Sequence, residues 1–287
     1  MDNLPLISIV TVVYNDVKNI EKTILSVINQ SYPYIEYIVI DGNSTDGTFN
    51  IINKYSDKLA YIISEPDSGI YYAMNKGMEK ASGEWIHFLN SGDIYCNPDV
   101  LSAVFNTKES CLTPPGSDGS RYADNELAHE DTDLIYGDIV LKYPFGTVRM
   151  DCSPDNGEHS LVRHPCCFIK ASVMKKYKYD TQYKISADTC FFNVCKNNNH
   201  RFKYIPLCIT VFDSYSGLSS KNKLNSYIED MQISKVKNNS IKWLKGYIKS
   251  YISYVIQKIN PTVYGRLACY TKRDRIKKYS EKTTSGK

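Results

Sequence analysis

The side chains able to do chemistry gather behind four apolar runs. "LISIVTVVY" (6–14) leads into Asn15 and Asp16, and "YIEYIVIDG" (34–42) carries Asp41 and runs into Asn43, Ser44, Thr45 and Asp46. "LAYIISEP" (59–66) leads into Asp67 and Gly69, and "GEWIHFLN" (83–90) into Ser91, Gly92 and Asp93. Any turn favours Asp, Asn, Ser and Gly, so one such end would mean little. Four together point to a site, because ligands of open α/β sheets bind outside the carboxyl ends of the strands. No G-x-G-x-x-G follows the first run and no G-x-x-x-x-G-K-[ST] occurs, so phosphate has no glycine cradle. A hard divalent cation sharing the substrate's own phosphates needs only one or two protein carboxylates. Asp93 can supply one.

The elements that must position these residues follow from the same runs. The first is β-branched throughout, as in a strand buried on both faces. Val17, Ile20, Ile24, Val27 and Ile28 then recur at helical spacing, with Asn15 or Asp16 available as a cap. "NSTDGTFNIINKY" (43–55) and "GIYYAMNKGMEKA" (69–81) give two more helices between strands. Strand and helix alternate over short connections, which calls for a parallel sheet with helices on both faces. The rhythm breaks at residues 106–132, which are polar and rich in Pro, Gly and Ser, as in a mobile loop. Beyond it, 133–141 and 146–152 look like antiparallel strands, 186–198 a helix, and 202–213 one or two further strands. The expected fold is therefore α/β, a Rossmann-like, mostly parallel sheet flanked by helices.

Bulk properties narrow the class. A chain of 287 residues, 42% of them hydrophobic, can build one large α/β domain with an appendage. The start "MDNLPLISIV" lacks a basic segment followed by an apolar run, so no signal peptide is expected. No apolar stretch approaches the ~20 residues that span a bilayer. Nine cysteines include no C-x-x-C pair, and neither Cys166/Cys167 nor Cys190/Cys195 has a zinc spacing, which suits reduced thiols in the cytoplasm. Residues 1–220 carry 19 Lys/Arg against 27 Asp/Glu, whereas 221–287 carry 16 against 4. An acidic body (−8) thus ends in a basic tail (+12), expected to be helical and separate. Within "SIKWLKGYIKSYISYVIQKIN" (240–260), Leu244, Tyr247, Ile248, Tyr251, Ile252, Val255 and Ile259 share one helical face, with Lys242, Lys245, Lys249 and Lys258 largely off it. That pattern suits a helix lying on an anionic membrane, or one packed on the body or on a second subunit. Nucleic acid would also be drawn to such charge, but no recognition module is evident.

In order and spacing, "SIVTVVYN", "YIVIDGNSTDGT", "EPDSGIYYAMNKG" and "ASGEWIHFLNSGD" resemble glycosyltransferase family 2, of GT-A fold, over roughly residues 5 to 215. Within that family the chain looks closest to bacterial enzymes of surface-polysaccharide assembly. The resemblance implies a catalytic domain over 1–220, with a nucleotide-binding half to about 105 and an acceptor half over about 133–220. It implies that Thr11, Tyr14 and Asn15 line the base and that Asp41 bonds the base or ribose. Asp67 and Asn75 would pack around the donor, with Ser91 and Gly92 in the loop that holds it. Asp93 would hold Mg2+ or Mn2+ against the diphosphate. "HPCCFIKASVMKKYKYDTQYKISADTCFF" (164–192) resembles the stretch with the catalytic base, which would be Asp188. Asp138 and His164 are candidates on the acceptor side, each with a plain structural alternative. Two departures stand out: Asn90 and Gly92 replace two acids of a common D-S-D-D loop, and Ala187 replaces the Glu that usually precedes the base.

Such an enzyme would be metal-dependent and inverting. It would move a sugar from a nucleotide-diphosphate donor to a glycan or lipid-linked acceptor at the inner face of a bacterial membrane. A nucleotidyltransferase would need a basic, glycine-rich triphosphate loop after the first strand, which "TVVYNDVKN" does not offer. A binding subunit that has lost catalysis is the other alternative, and the reduced metal loop is its support.

Overall fold

The computed structural model describes residues 4–105, 131–144, 146–154, 162–215, 217–234, 241–260, 263 and 276–278. Most of the segment expected to be a mobile loop, 106–130, lies outside the described residues.

The first apolar run forms β1 (Ile7–Val13), buried at all seven positions. It lies parallel to β2 (Ile35–Asp41) on one side and to β4 (Trp85–Phe88) on the other, and β3 (Tyr61–Ser64) continues beyond β2. β-Branched side chains pack well on such doubly covered strands, each adding about 1.5–3 kcal/mol on full burial. The connecting helices are α1 (Ile20–Ile28), α2 (Thr48–Asn53) and α3 (Ile70–Lys80). Gly77 lets α3 lie close on the sheet, since a Cβ there would run into Val10 of β1. Strand order reverses at β1, whose neighbours β2 and β4 are reached in opposite directions. A crevice therefore opens beyond the carboxyl ends of β1 and β4.

The second half is largely antiparallel, and the runs at 133–141 and 146–152 pair as the antiparallel strands expected of them. β5 (Ile94–Tyr95) and α4 (Val100–Phe105) are followed by the hairpin of β6 (Leu134–Tyr143) and β7 (Gly146–Met150), then by β8 (Cys167–Lys170). β8 runs antiparallel to both β4 and β6, which joins the two halves into one mixed sheet. α5 (Ala171–Tyr177) and α6 (Ala187–Asn197) lead to the long β9 (Phe202–Asp213), parallel to β6 and antiparallel to β5.

The basic tail differs from a separate helical appendage. After the short α7 (Leu218–Lys221), its helices are α8 (Lys223–Ile233) and α9 (Ile241–Ile259). α8 packs on α6 and on α9, and β10 (Ile276–Lys278) adds a strand to the edge of the sheet beside β7. Among the described residues no helix is long and apolar enough to cross a membrane.

Candidate active site

β4 delivers Asn90–Asp93 as a turn beside the end of β1. Gly92 has φ 96°, a left-handed conformation that glycine adopts without steric penalty. Its N–H donates to Thr23 Oγ1 (3.0 Å), while Thr23 in turn donates to the Asp93 carbonyl (2.9 Å). Ser91 Oγ donates to Asp16 Oδ2 (2.7 Å), tying the two strand ends together. Asp16 thus belongs to this acidic corner more closely than several residues singled out by sequence. Its only signal was its place at the end of β1.

Asp93 is 4% exposed, and its carboxylate accepts one long bond, from Asp213 N–H at 3.4 Å. Burial pushes its carboxyl well above the usual range, and the nearby Asp213 and Asp16 push the same way. Among the described residues no group of three or more His, Cys, Asp and Glu is arranged to hold a metal ion. A closed all-protein site is therefore absent there. An open site fits the donor set: a desolvated carboxylate with one weak partner is what a cation would relieve, with substrate oxygens completing the shell. Asn90 Oδ1, buried and without a partner, is a further oxygen in the same turn.

The same turn reaches the acceptor-side residues. Asn90 Nδ2 lies 3.2 Å from His164 Nε2, and His164 Nδ1 lies 2.9 Å from Asp188 Oδ2. The imidazole thus bridges the Asn90 amide and the Asp188 carboxylate through its two ring nitrogens. The Tyr71 hydroxyl from α3 lies 3.1 Å from Asp188 Oδ1 and 2.7 Å from the Ile185 carbonyl. The Asp188 side chain stays 21% exposed. Burial alone would push its carboxyl up, but the hydrogen bond and charge of His164, with Thr189 N–H and Tyr71 OH, outweigh it and hold it below the usual range. The N-cap of α6 is Ser186, so Asp188 sits in the first turn and is not the cap of its own helix.

Beneath His164 the core is braced. His87 is fully buried between the Tyr95 hydroxyl (Nδ1, 2.7 Å) and the Pro165 carbonyl (Nε2, 3.0 Å). Burial pushes its pKa down to about 3, so it is neutral. Thr210 Oγ1 also donates to the Pro165 carbonyl (2.7 Å), which fixes the residue next to His164.

On the nucleotide side the expected residues divide. Tyr14 is 68% exposed and free to stack on a ring. Asn15 does not cap a helix. It has φ 50°, its Oδ1 accepts Thr45 N–H (2.9 Å) and its N–H donates to Ser44 Oγ (2.8 Å), so it stitches the ends of β1 and β2. Asp67 accepts Lys76 Nζ on Oδ1 (2.7 Å), while its buried Oδ2 has no partner.

Four expectations need correcting. Thr11 is fully buried, bonded to Tyr37 OH (3.0 Å) and the Leu89 carbonyl (2.7 Å), so it braces β1 instead of lining a base. Asp41 is fully buried, its oxygens taken by Ser44 N–H (3.0 Å), Ser44 Oγ (2.5 Å) and Ser64 Oγ (2.5 Å). It shapes the turn from within. Asn75 gives both ends of its amide to the Tyr179 backbone (2.8 and 2.9 Å), locking α3 to the segment before α6. Asp138, 2% exposed, is paired with Arg149 (Nη2, 2.5 Å) and accepts Tyr204 OH (2.8 Å) and Cys152 N–H (2.9 Å), leaving nothing for an acceptor.

Residues 8–111 match the family model "Glycosyl transferase family 2". That segment, a little over a third of the chain, is similar to glycosyltransferase family 2. Among relatives, an uncharacterized glycosyltransferase of Mycobacterium tuberculosis (strain ATCC 25618 / H37Rv) is 41% identical over 103 residues, covering 36% of this chain and 39% of its own. TuaG of Bacillus subtilis (strain 168), a glycosyltransferase named for teichuronic acid biosynthesis, is 40% identical over 159 residues, covering 51% of this chain and 62% of its own. The chain therefore spans less than two thirds of the length of these two relatives. The fold is shared with S. aureus TarS 1-349 in complex with UDP-GlcNAc (TM-score 0.60, 17% identity, 87% of this chain and 73% of that one). It is shared too with the mannosyltransferase PcManGT from Pyrobaculum calidifontis in complex with GDP-Man and Mn2+ (TM-score 0.56, 14% identity, 94% and 76%).

Proposed function

We propose that this chain is an inverting glycosyltransferase of bacterial cell-surface polysaccharide biosynthesis. It moves a sugar from a nucleotide-diphosphate donor to a hydroxyl of a glycan or lipid-linked glycan. The observation that carries this reading is the hydrogen-bonded series Asn90–His164–Asp188, which runs from the turn holding Asp93 to a partly exposed carboxylate. Asp188, kept ionised by His164, takes the acceptor hydroxyl proton as that oxygen bonds the anomeric carbon; the carbon–oxygen bond to the diphosphate breaks and its electron pair leaves with the nucleoside diphosphate. A positioned base of this kind contributes about 10²–10⁴-fold.

Asp93 would hold Mn2+ or Mg2+, which when bound would neutralise charge gathering on the diphosphate. Support comes from the carboxylate's burial with one weak partner, and from the complex of PcManGT with GDP-Man and Mn2+. Tyr14 stacks on the base, and the unpartnered Asp67 Oδ2 accepts a donor hydroxyl. The tail brings the enzyme to the inner face of the membrane. On α9, Leu244, Ile248, Tyr251, Ile252 and Ile259 are exposed together, beside exposed Lys245 and Lys249. Such a face matches an anionic bilayer in both polarity and charge.

The test is a pair of variants assayed for donor binding and transfer separately. Asp93→Ala should weaken Mn2+-supported binding of UDP-GlcNAc or GDP-mannose; Asp188→Asn should bind donor normally and lose transfer. Near-normal turnover by Asp188→Asn would overturn the assignment of the base. Absence of Mn2+-dependent donor hydrolysis in the wild type would favour a binding subunit without catalysis.

A further inference from the structure

α6 carries Asp188 in its first turn, and Ser186, its cap, makes no side-chain capping bond. What holds this end of the helix comes from the basic tail. Glu229 of α8 accepts three consecutive backbone N–H groups: Lys184 on Oε1 (3.0 Å), and Ile185 and Ser186 on Oε2 (2.9 Å each). Consecutive N–H groups converging on one carboxylate form an anion nest, and charge-assisted bonds are the stronger kind. Ser186 Oγ lies 3.4 Å from both the carbonyl and the Oγ of Ser226. Asp230, the next residue of α8, has its carboxyl raised by burial, an effect that the Ser186 side chain offsets in part. Ser226, Glu229 and Asp230 stand at i, i+3 and i+4, so one face of α8 makes the whole contact.

We propose that Glu229 is a positioning residue: it fixes the start of α6 and thereby the direction in which Asp188 faces the acceptor, which makes the tail part of the catalytic centre. The proposal rests on Asp188 as the base. The carboxylate lies two residues past the last N–H that Glu229 holds, and its other partners, His164 and Tyr71, come from different elements. Losing the nest frees the helix start to shift against them. A displacement near 1 Å costs about 10²-fold in turnover while a donor bound elsewhere is unaffected.

Full-length Glu229→Ala and Glu229→Gln test this with three readouts. Amide hydrogen exchange should show lost protection confined to 184–186 in Glu229→Ala. The NMR signal of the His164 Nδ1 proton should shift or broaden as its Asp188 partner moves. In Mn2+-dependent hydrolysis of UDP-GlcNAc or GDP-mannose, kcat should fall about 10–100-fold with the donor KM within about twofold. Glu229→Gln, which keeps an oxygen acceptor, should restore part of each, and it carries the test if the alanine variant does not fold. Unchanged kcat despite lost protection, an unmoved His164 signal, or a KM that rises as much as kcat falls would each overturn the proposal. If the wild type turns over neither donor, the reading of Asp188 as base fails, while exchange and the His164 signal still decide whether Glu229 holds Asp188 in place.

Discussion

His164 Nδ1 and Asp188 Oδ2 stand 2.9 Å apart, and this bond decides the state of the carboxylate. Burial works to protonate Asp188, and His164 reverses the sign. Thr189 N–H and Tyr71 OH act in the same direction but more weakly, so His164 is the partner whose loss the carboxylate should feel most. His164→Ala should therefore raise the pKa of the base. The acid limb of the kcat/KM profile should move to higher pH, and activity near neutrality should fall about tenfold or more. His164→Asn, which can still donate a proton, should lie between. An acid limb that stays in place would show that another group titrates. For stability, the depressed carboxyl contributes fully above its unfolded pKa of about 3.9, and that contribution is lost as pH falls through the folded value.

Asp93 has the opposite sign. Its carboxyl is raised in the fold, so its ionisation opposes folding, and stability falls as pH rises from the unfolded pKa of about 3.9 through the folded one. Asp93→Asn should melt higher than wild type in EDTA at neutral pH. Mn2+ with a nucleotide diphosphate should raise the wild-type Tm, since 100-fold excess over Kd is worth about 2.7 kcal/mol, and should do little for the variant. Equal stabilisation of both by Mn2+ would place the metal elsewhere.

His87 predicts an acid transition of the core. It is neutral when folded, with a pKa of about 3, against about 6.5 in the unfolded chain. A depressed imidazole costs stability progressively as pH falls from the unfolded value towards the folded one, by an amount on the order of a few kcal/mol. His87→Leu should flatten the dependence of urea-melting midpoints between those values. At neutral pH it should be less stable by about 1–3 kcal/mol, because Tyr95 OH loses its partner. A variant as acid-sensitive as wild type would point to other groups.

The tail can be tested apart from catalysis. The wild type should co-sediment with phosphatidylserine-containing vesicles and not with neutral ones, and should be released by salt, since each Lys near the surface contributes about 1 kcal/mol. Ile248→Asp with Ile252→Asp should abolish this and leave the fold intact, both side chains being exposed. A wild type that forms dimers and ignores vesicles would assign the face to a second copy of the chain.

Much of this molecule is local in its causes, and so legible in the chain. β1, β2 and β4 are β-branched or aromatic runs whose pattern needs no partner to be read, and the polar ends behind them announce the crevice. Asp93 and Asp188 could be named because their surroundings in sequence resemble a family. What each side chain does with its oxygens was decided only by distant segments. Thr11 within β1 and Asp41 at the end of β2 look like ligands, yet the strands beside them bury both and neighbouring groups take up their hydrogen bonds. Asp138 becomes half of an ion pair because a β6–β7 hairpin sets Arg149 beside it. His164 becomes the partner of Asp188, 24 residues on, and Glu229 the support of the same helix from 43 to 45 residues on. The sequence determined which strands form and where their polar ends lie, because hydrophobic period and turn chemistry act over a few residues. Tertiary packing decided which of those polar groups remain free, because burial and pairing depend on what the rest of the chain brings beside them.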